Sequence, residues 1–358
     1  MKSATRPSLG VTCAVGLLLM ACAACSSDPS PPGGITVPTS DSPPPESSPG
    51  AGSTGATATT QAGADGRIVF TSNMDPAGRW DLFTVRPDGT GVERLTVLPD
   101  PKWPFSAPEW SPDGTQLVFT SPSPSSRLGQ VYRIDADGSG LTQLTHGSDI
   151  DADTASWSPD GSRIVLKRAG SGEYAIWVMN ADGSGLKRLT SELYDNSDPT
   201  FTPDGKHILY ASKRGGSSAI WIMNADGSDQ RRLSPAGLEA ASPDVSPDGS
   251  HVVFGQGGDP SNPESIYTMT IDGSGITRLT NAEGSHHDGL PKYSPDGMQI
   301  VYLTDRNYAF LDGMDIYVMN ADGTDQHRVT SNLTVGGWPD SPYFNAVYPD
   351  WGPRPVAG

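Results

Sequence analysis

Two short clusters in this sequence have the residue types and spacing of ligand sites. Asp149-x-Asp151-x-Asp153 sets carboxylates at alternate positions, as at the opening of a calcium loop. Thr154 stands where that loop needs glycine, and no glutamate follows at its twelfth position. His286-His287-Asp288 puts two imidazoles beside a carboxylate, a set that suits a divalent cation when other parts of the fold add ligands. Covalent catalysis has less to draw on. Gly215-Gly-Ser217-Ser-Ala219 comes nearest to a nucleophile elbow and fails at its last position, and neither a Walker loop nor His-Glu-x-x-His occurs.

The cysteines point to anchoring rather than chemistry. Cys13, Cys22 and Cys25 all lie near the start, so the rest of the chain has no disulfide or thiolate metal site to hold it together. Lys2 and Arg6 precede an apolar run, Leu9 to Ala21, too short to span a bilayer comfortably, which reads as a cleaved export signal over residues 1–21. Leu18-Leu-Met-Ala-Cys22 resembles the lipobox of bacterial lipoproteins, with Cys22 as lipid acceptor and Cys25 as its competitor. The tether that follows, to residue 65, is rich in Ser, Pro, Gly and Thr and has little to bury. As a flexible coil of roughly 40 residues it reaches about 35 Å.

A formal charge of -17 argues against nucleic acid and anionic lipid surfaces as partners, and removal of Lys2 and Arg6 with the leader deepens it. Cationic partners and metal ions fit that sign.

What must position any site is a repeat. Pro-Asp-Gly turns recur at Asp113, Asp160, Asp204, Asp248 and Asp296, spaced by 47, 44, 44 and 48 residues. A second Asp-Gly turn recurs at Asp88, Asp137, Asp182, Asp226, Asp272 and Asp322 with the same step. Four short strands per unit fit between them; in the third they are expected at 154–157, 163–167, 175–179 and 186–190. Asp-Gly suits both hairpins, since a tight turn needs positive φ. Trp177, Trp221 and Tyr317 read as core between neighbouring units. The first unit lacks its first strand, and a lone strand near 346–351 can supply it by pairing near Ile68. The fold expected is therefore all-β: a six-bladed β-propeller of four-stranded antiparallel blades, over residues 66–353, closed by pairing of its N- and C-terminal strands, with 354–358 as a tail.

These turns, with Arg-Leu-Thr ends at 94–96, 188–190 and 278–280, resemble the TolB-type repeats of the PD40, WD40-like family. The resemblance covers about residues 66 to 353. It implies a cell-envelope propeller that acts by binding and not as an enzyme; the tether and lipid stand where that family carries an α/β domain.

The two Asp-Gly turns share one face, so the long variable loops on the other are the expected recognition surface. Trp103, Asp151, Asp153, Asp198, His286, His287, Asp288 and Trp338 are its candidate ligand-binding residues, an acidic mouth with aromatic patches. Phe105, Asp195, Glu239 and Asp340 belong to the same loops. The expected function is that of an exported monomer, lipid-anchored on the extracytoplasmic face, that binds a protein, peptide or cell-wall component and needs no cofactor. The alternative is a metal-dependent carbohydrate-active enzyme, lyase-like, using His286, His287 and neighbouring acids with Ca2+ or another divalent cation. The histidine pair resembles metal-binding propellers such as oligogalacturonate lyase.

Overall fold

A computed structural model of the chain describes residues 66–353 apart from 74–79, 97–105, 124–127, 148–150, 171, 258–263, 282–285, 308–312 and 331–345. Cys22, Cys25, the tether, Trp103, Phe105, Asp149, Trp338 and Asp340 lie outside the described residues.

Each repeat folds into a four-stranded antiparallel sheet, and six such sheets form the domain. The third blade shows the pattern: Asp151–Trp157 innermost, then Arg163–Ala169, Ala175–Asn180 and Lys187–Arg188. In the first blade Ala346–Trp351 is innermost and pairs with Ile68–Ser72, with Trp351 opposite Ile68. The expected closure by the C-terminal strand is thus present. The two ends are also joined by Gly66 N–H to Pro353 O at 3.1 Å and Gly352 N–H to Arg67 O at 2.9 Å.

The middle strands are buried on both faces because each blade packs against two others. Ile68 and Phe70 join Val301, Leu303 and Ile316 of the sixth blade, whereas Val69, between them, joins Trp110, Leu117 and Phe119 of the second. The period-2 alternation of a strand thereby serves two interfaces at once. Tyr317 is buried in this core, while Trp177 and Trp221 are only partly buried, with Arg168 lying 4.5 Å over Trp177 and Arg214 5.0 Å over Trp221.

The outermost strands are shorter than expected. Lys187–Arg188, Arg231–Arg232 and His327–Arg328 have two residues each, and short cationic edges resist further strand pairing. The hydroxyl two residues past each strand continues its work: Thr190 Oγ1 accepts the Ile176 N–H at 2.8 Å, and Thr280 the Ile266 N–H at 3.0 Å. The Arg-Leu-Thr ends are built for this.

In the Asp-Gly turns glycine takes the positive φ and aspartate the hydrogen bonds. Gly183 has φ 86°, and Asp182 accepts the Ser184 N–H at 2.9 Å and hydroxyl at 2.6 Å. Glycine is required here for a second reason: a Cβ on Gly183 would stand 2.7 Å from Leu144 O of the second blade.

Candidate functional site

Every innermost strand breaks its ladder at the same place. A register shift falls between Ser197 and Thr200, Ala241 and Asp244, Gly289 and Lys292, and at the matching points of the other three blades. At each break one residue other than glycine has positive φ: Ala107, Thr154, Asp198, Ser242, Leu290 or Tyr348. Proline follows in five blades and Ala155 in the third. Proline has no N–H to give to the ladder, so the bulge costs little pairing there and turns the backbone toward the axis. These residues line an axial cavity of about 80 Å³, together with Glu109, Ser156 and Lys292. That is space for on the order of half a dozen waters.

The next position along carries a polar ring. Glu109 Oε1 accepts the Trp157 N–H and the Ser156 hydroxyl, both at 2.8 Å. Asp244 accepts the Tyr293 N–H at 2.8 Å and Asp350 the Trp110 N–H at 2.9 Å. Each of these carboxylates ties its blade to the following one. Lys292 Nζ lies 3.3 Å from Glu109 and 3.5 Å from Asp244. Burial works against its charge, but Glu109, Asp244 and Asp350 outweigh burial and hold its pKa above the ordinary lysine range. Asp350 is pushed up to about 7 by burial and then by Glu109, against the pull of Lys292.

On the variable-loop side a second set of acids faces the axis. Burial raises the Asp198 carboxyl against the pull of Lys167, and the Ser197 hydroxyl donates to it at 3.1 Å. Tyr348 is raised by burial and by the charges of Asp153 and Asp198. Glu264 lies over the bare backbones of two strands: a Cβ on Gly255 or Gly289 would meet its Oε1 at 2.1 or 3.0 Å. Burial pushes Glu264 up to about 7, with Asp198 and Asp288 adding to the shift and His287 opposing it.

The candidate residues divide into three groups. Asp153 and Asp198 converge on the axis, on strands rather than in loops, because the innermost strands begin earlier than expected. Asp151 also lies on its strand and accepts the Gly129 N–H at 2.7 Å and the Tyr174 hydroxyl. Asp288 is wholly buried and pairs with Arg306 at 2.9 Å. His287 Nδ1 is 3.0 Å and His286 Nδ1 3.8 Å from Asp305, and the hydrogen bond to Asp305 raises the His287 pKa. Asp195 pairs with Lys213 at 2.8 Å. Among the described residues no three His, Cys, Asp or Glu side chains are grouped to hold a metal ion.

A family model described as the TolB beta propeller domain matches residues 152–262. An uncharacterized protein of Agrobacterium fabrum is 30% identical over 135 residues, 38% of this chain and 44% of that protein. The Tol-Pal system protein TolB of Anaeromyxobacter dehalogenans is 32% identical over 124 residues, 35% of this chain and 27% of its own. The chain therefore spans less than half the length of these curated relatives. The crystal structure of TolB from Acinetobacter baumannii superposes with a TM-score of 0.66 at 22% identity, covering 80% of this chain and 67% of that one. Residues 152–262 thus match the TolB beta propeller domain, and the fold is shared with the Acinetobacter baumannii structure.

The repeat explains the blades and leaves the axis to particular residues. Glu264, Glu109, Asp244, Lys292 and Asp350 did not stand out as functional in the sequence. A signal for four of them was present: a proline two residues before the aromatic or branched end of the innermost strand, as in Pro108-Glu-Trp110, Pro291-Lys-Tyr293 and Pro349-Asp-Trp351. Glu264 has no such marker, since its niche is made by glycines on two other strands. Chemically, the axis offers carboxyls that resist ionisation beside apolar proline walls, an arrangement that rewards an incoming positive charge.

Proposed function

We propose that the chain is an exported, lipid-anchored binding protein whose propeller receives a cationic segment of a partner protein, peptide or cell-envelope component at the variable-loop end of its axis. Cys22 is the proposed lipid acceptor, with Cys25 second. The observation that carries the binding reading is the pair Asp198 and Glu264, both raised chiefly by burial, with their neighbours Asp153 and Asp288 of the same sign. An ammonium or guanidinium group placed there adds to the pull of Lys167 and His287 and offsets the burial that raises both carboxyls. The relatives named for the Tol-Pal system support an envelope role of this kind.

The test uses a pull-down from envelope extracts to find a partner, then two variant sets against it. Asp153→Asn, Asp198→Asn and Glu264→Gln together are expected to weaken binding at least tenfold and to flatten the salt dependence of the association rate. Asp137→Asn, Asp182→Asn and Asp226→Asn, on the opposite face, are expected to change affinity less than twofold at matched folded fraction. Equal losses in the two sets would remove the axial acids from the binding reading.

A further inference from the structure

Lys292 reaches between blades that are not neighbours. It belongs to the innermost strand Asp288–Tyr293 of the sixth blade, and Glu109, 3.3 Å from its Nζ, belongs to Ser106–Trp110 of the second. Between them around the axis stands the first blade, whose innermost strand is the chain's returning end, Ala346–Trp351. Its Asp350 takes the Trp110 N–H, and the fifth blade's Asp244, 3.5 Å from Lys292, takes the Tyr293 N–H. One ammonium therefore faces three carboxylates, and each carboxylate also ties two blades together.

We propose that Lys292, Glu109, Asp244 and Asp350 form a pH-sensitive clasp across the axis that holds the closing strand in the ring, more tightly below neutral pH than above it. The charges facing Asp350 are Glu109 and Asp244, which repel its ionised form, and Lys292, which favours it. A proton taken from solvent onto Oδ1 leaves Oδ2 free to go on accepting the Trp110 N–H. It also removes one of three like charges and leaves Lys292 paired with Glu109 and Asp244. Burial and these neighbours place that protonation at about 7. Loss of the proton adds a third negative charge at the strand that closes the ring. Because the second and sixth blades are bridged over the first, repulsion there acts on ring closure and not on one hairpin.

The experiment measures the thermal midpoint of the full chain at pH 6 and pH 8. Every variant carries Glu264→Gln, since Glu264 also titrates near 7. The parent is expected to melt lower at pH 8 than at pH 6, by on the order of 3 °C. Asp350→Asn, which keeps an acceptor for Trp110, should raise the midpoint at pH 8 and abolish most of that difference. Lys292→Met should lower it more at pH 8 than at pH 6, and the double variant should recover much of the loss. Hydrogen exchange in 346–351, corrected for intrinsic pH dependence, should lose protection between the two pH values before exchange in Ala219–Asn224 does. An unchanged pH difference in Asp350→Asn, or strictly additive effects of the two substitutions, would overturn the clasp.

Discussion

At Asp182 a carboxylate accepts the N–H and the hydroxyl of Ser184, two residues on, and these bonds lower its pKa. At Asp350 a carboxylate of the same residue type accepts a backbone N–H from the next blade and is pushed up to about 7, first by burial. The contrast holds across the two regions. In the turns Asp160, Asp248 and Asp272 fall to about 2 through bonds to neighbouring hydroxyls and N–H groups, whereas Asp198 and Glu264 near the axis rise through burial. A turn aspartate finds its donors within two residues on either side, so its ionised form is comfortable wherever that turn folds. An axial acid depends on what other blades bring to the centre: the second, fifth and sixth for Asp350, the third and fifth for Asp198. Sequence repetition stabilises the first kind and leaves the second strained, and strained charge is what a ligand or a proton can act upon.

The contrast is broken most severely by removing the strand that carries Asp350. A chain ending at Gly337 lacks Trp351, 6% exposed in the core between the first and sixth blades, and should lose at least the cost of deleting a buried aromatic, about 3 to 5 kcal/mol. Chemical denaturation read by fluorescence measures it. An unchanged midpoint would mean that the axial ring is not held by its C-terminal strand.

A smaller effect separates two kinds of turn on the repetitive face. Gly183→Ala suffers both the positive φ of 86° and a Cβ 2.7 Å from Leu144 O, whereas Gly161→Ala, with φ 67° and nothing within 4 Å, suffers only the first. Left-handed backbone costs about 1 to 2 kcal/mol in an alanine, so Gly161→Ala should fall in that range and Gly183→Ala beyond it. Equal losses would show that the turns between the two outer strands add no interblade restraint.

The smallest expected effect is on pH dependence. Glu264 and Asp350 bind protons more tightly folded than unfolded, so their contribution is full below the ordinary carboxylate pKa and is lost as pH rises through about 7. For Asp160, Asp248 and Asp272 the sign reverses: the contribution is present above 3.8 and is lost as pH falls through about 2. Calorimetry should therefore find greatest stability near pH 4, falling toward neutral pH on one side and toward pH 2 on the other. Glu264→Gln should flatten the upper limb alone, and Asp160→Asn with Asp248→Asn and Asp272→Asn the lower limb alone. A shared effect on both limbs would dissolve the distinction between the two acid populations.

The blades were legible because their information is local and repeated. Asp-Gly turns, Arg-Leu-Thr ends and the lone strand at 346–351 each state one requirement of one hairpin or edge. The axis was only half legible. Asp153 and Asp198 read as acids but as loop residues, since the bulge through which each innermost strand continues depends on the ladder of the adjoining strand. Asp288 stands beside two histidines in the sequence, while its partner in the fold, Arg306, is eighteen residues away and has no local marker. Glu264 was invisible, because Gly255 and Gly289 that make room for it lie on the strands of two blades.

The joined ends of the domain have a mechanical consequence. Ile68–Ser72, the first strand after Gly66, is hydrogen-bonded on one side to Ala346–Trp351 and on the other to Asp81–Val85. A pull arriving at Gly66 from the N-terminal side thus meets a strand gripped along both flanks, with Gly66 itself bonded to Pro353. Load is shared by two ladders from the first residue onward, and the weak two-residue outer strand, Glu93–Arg94, stands two positions away from the line of force.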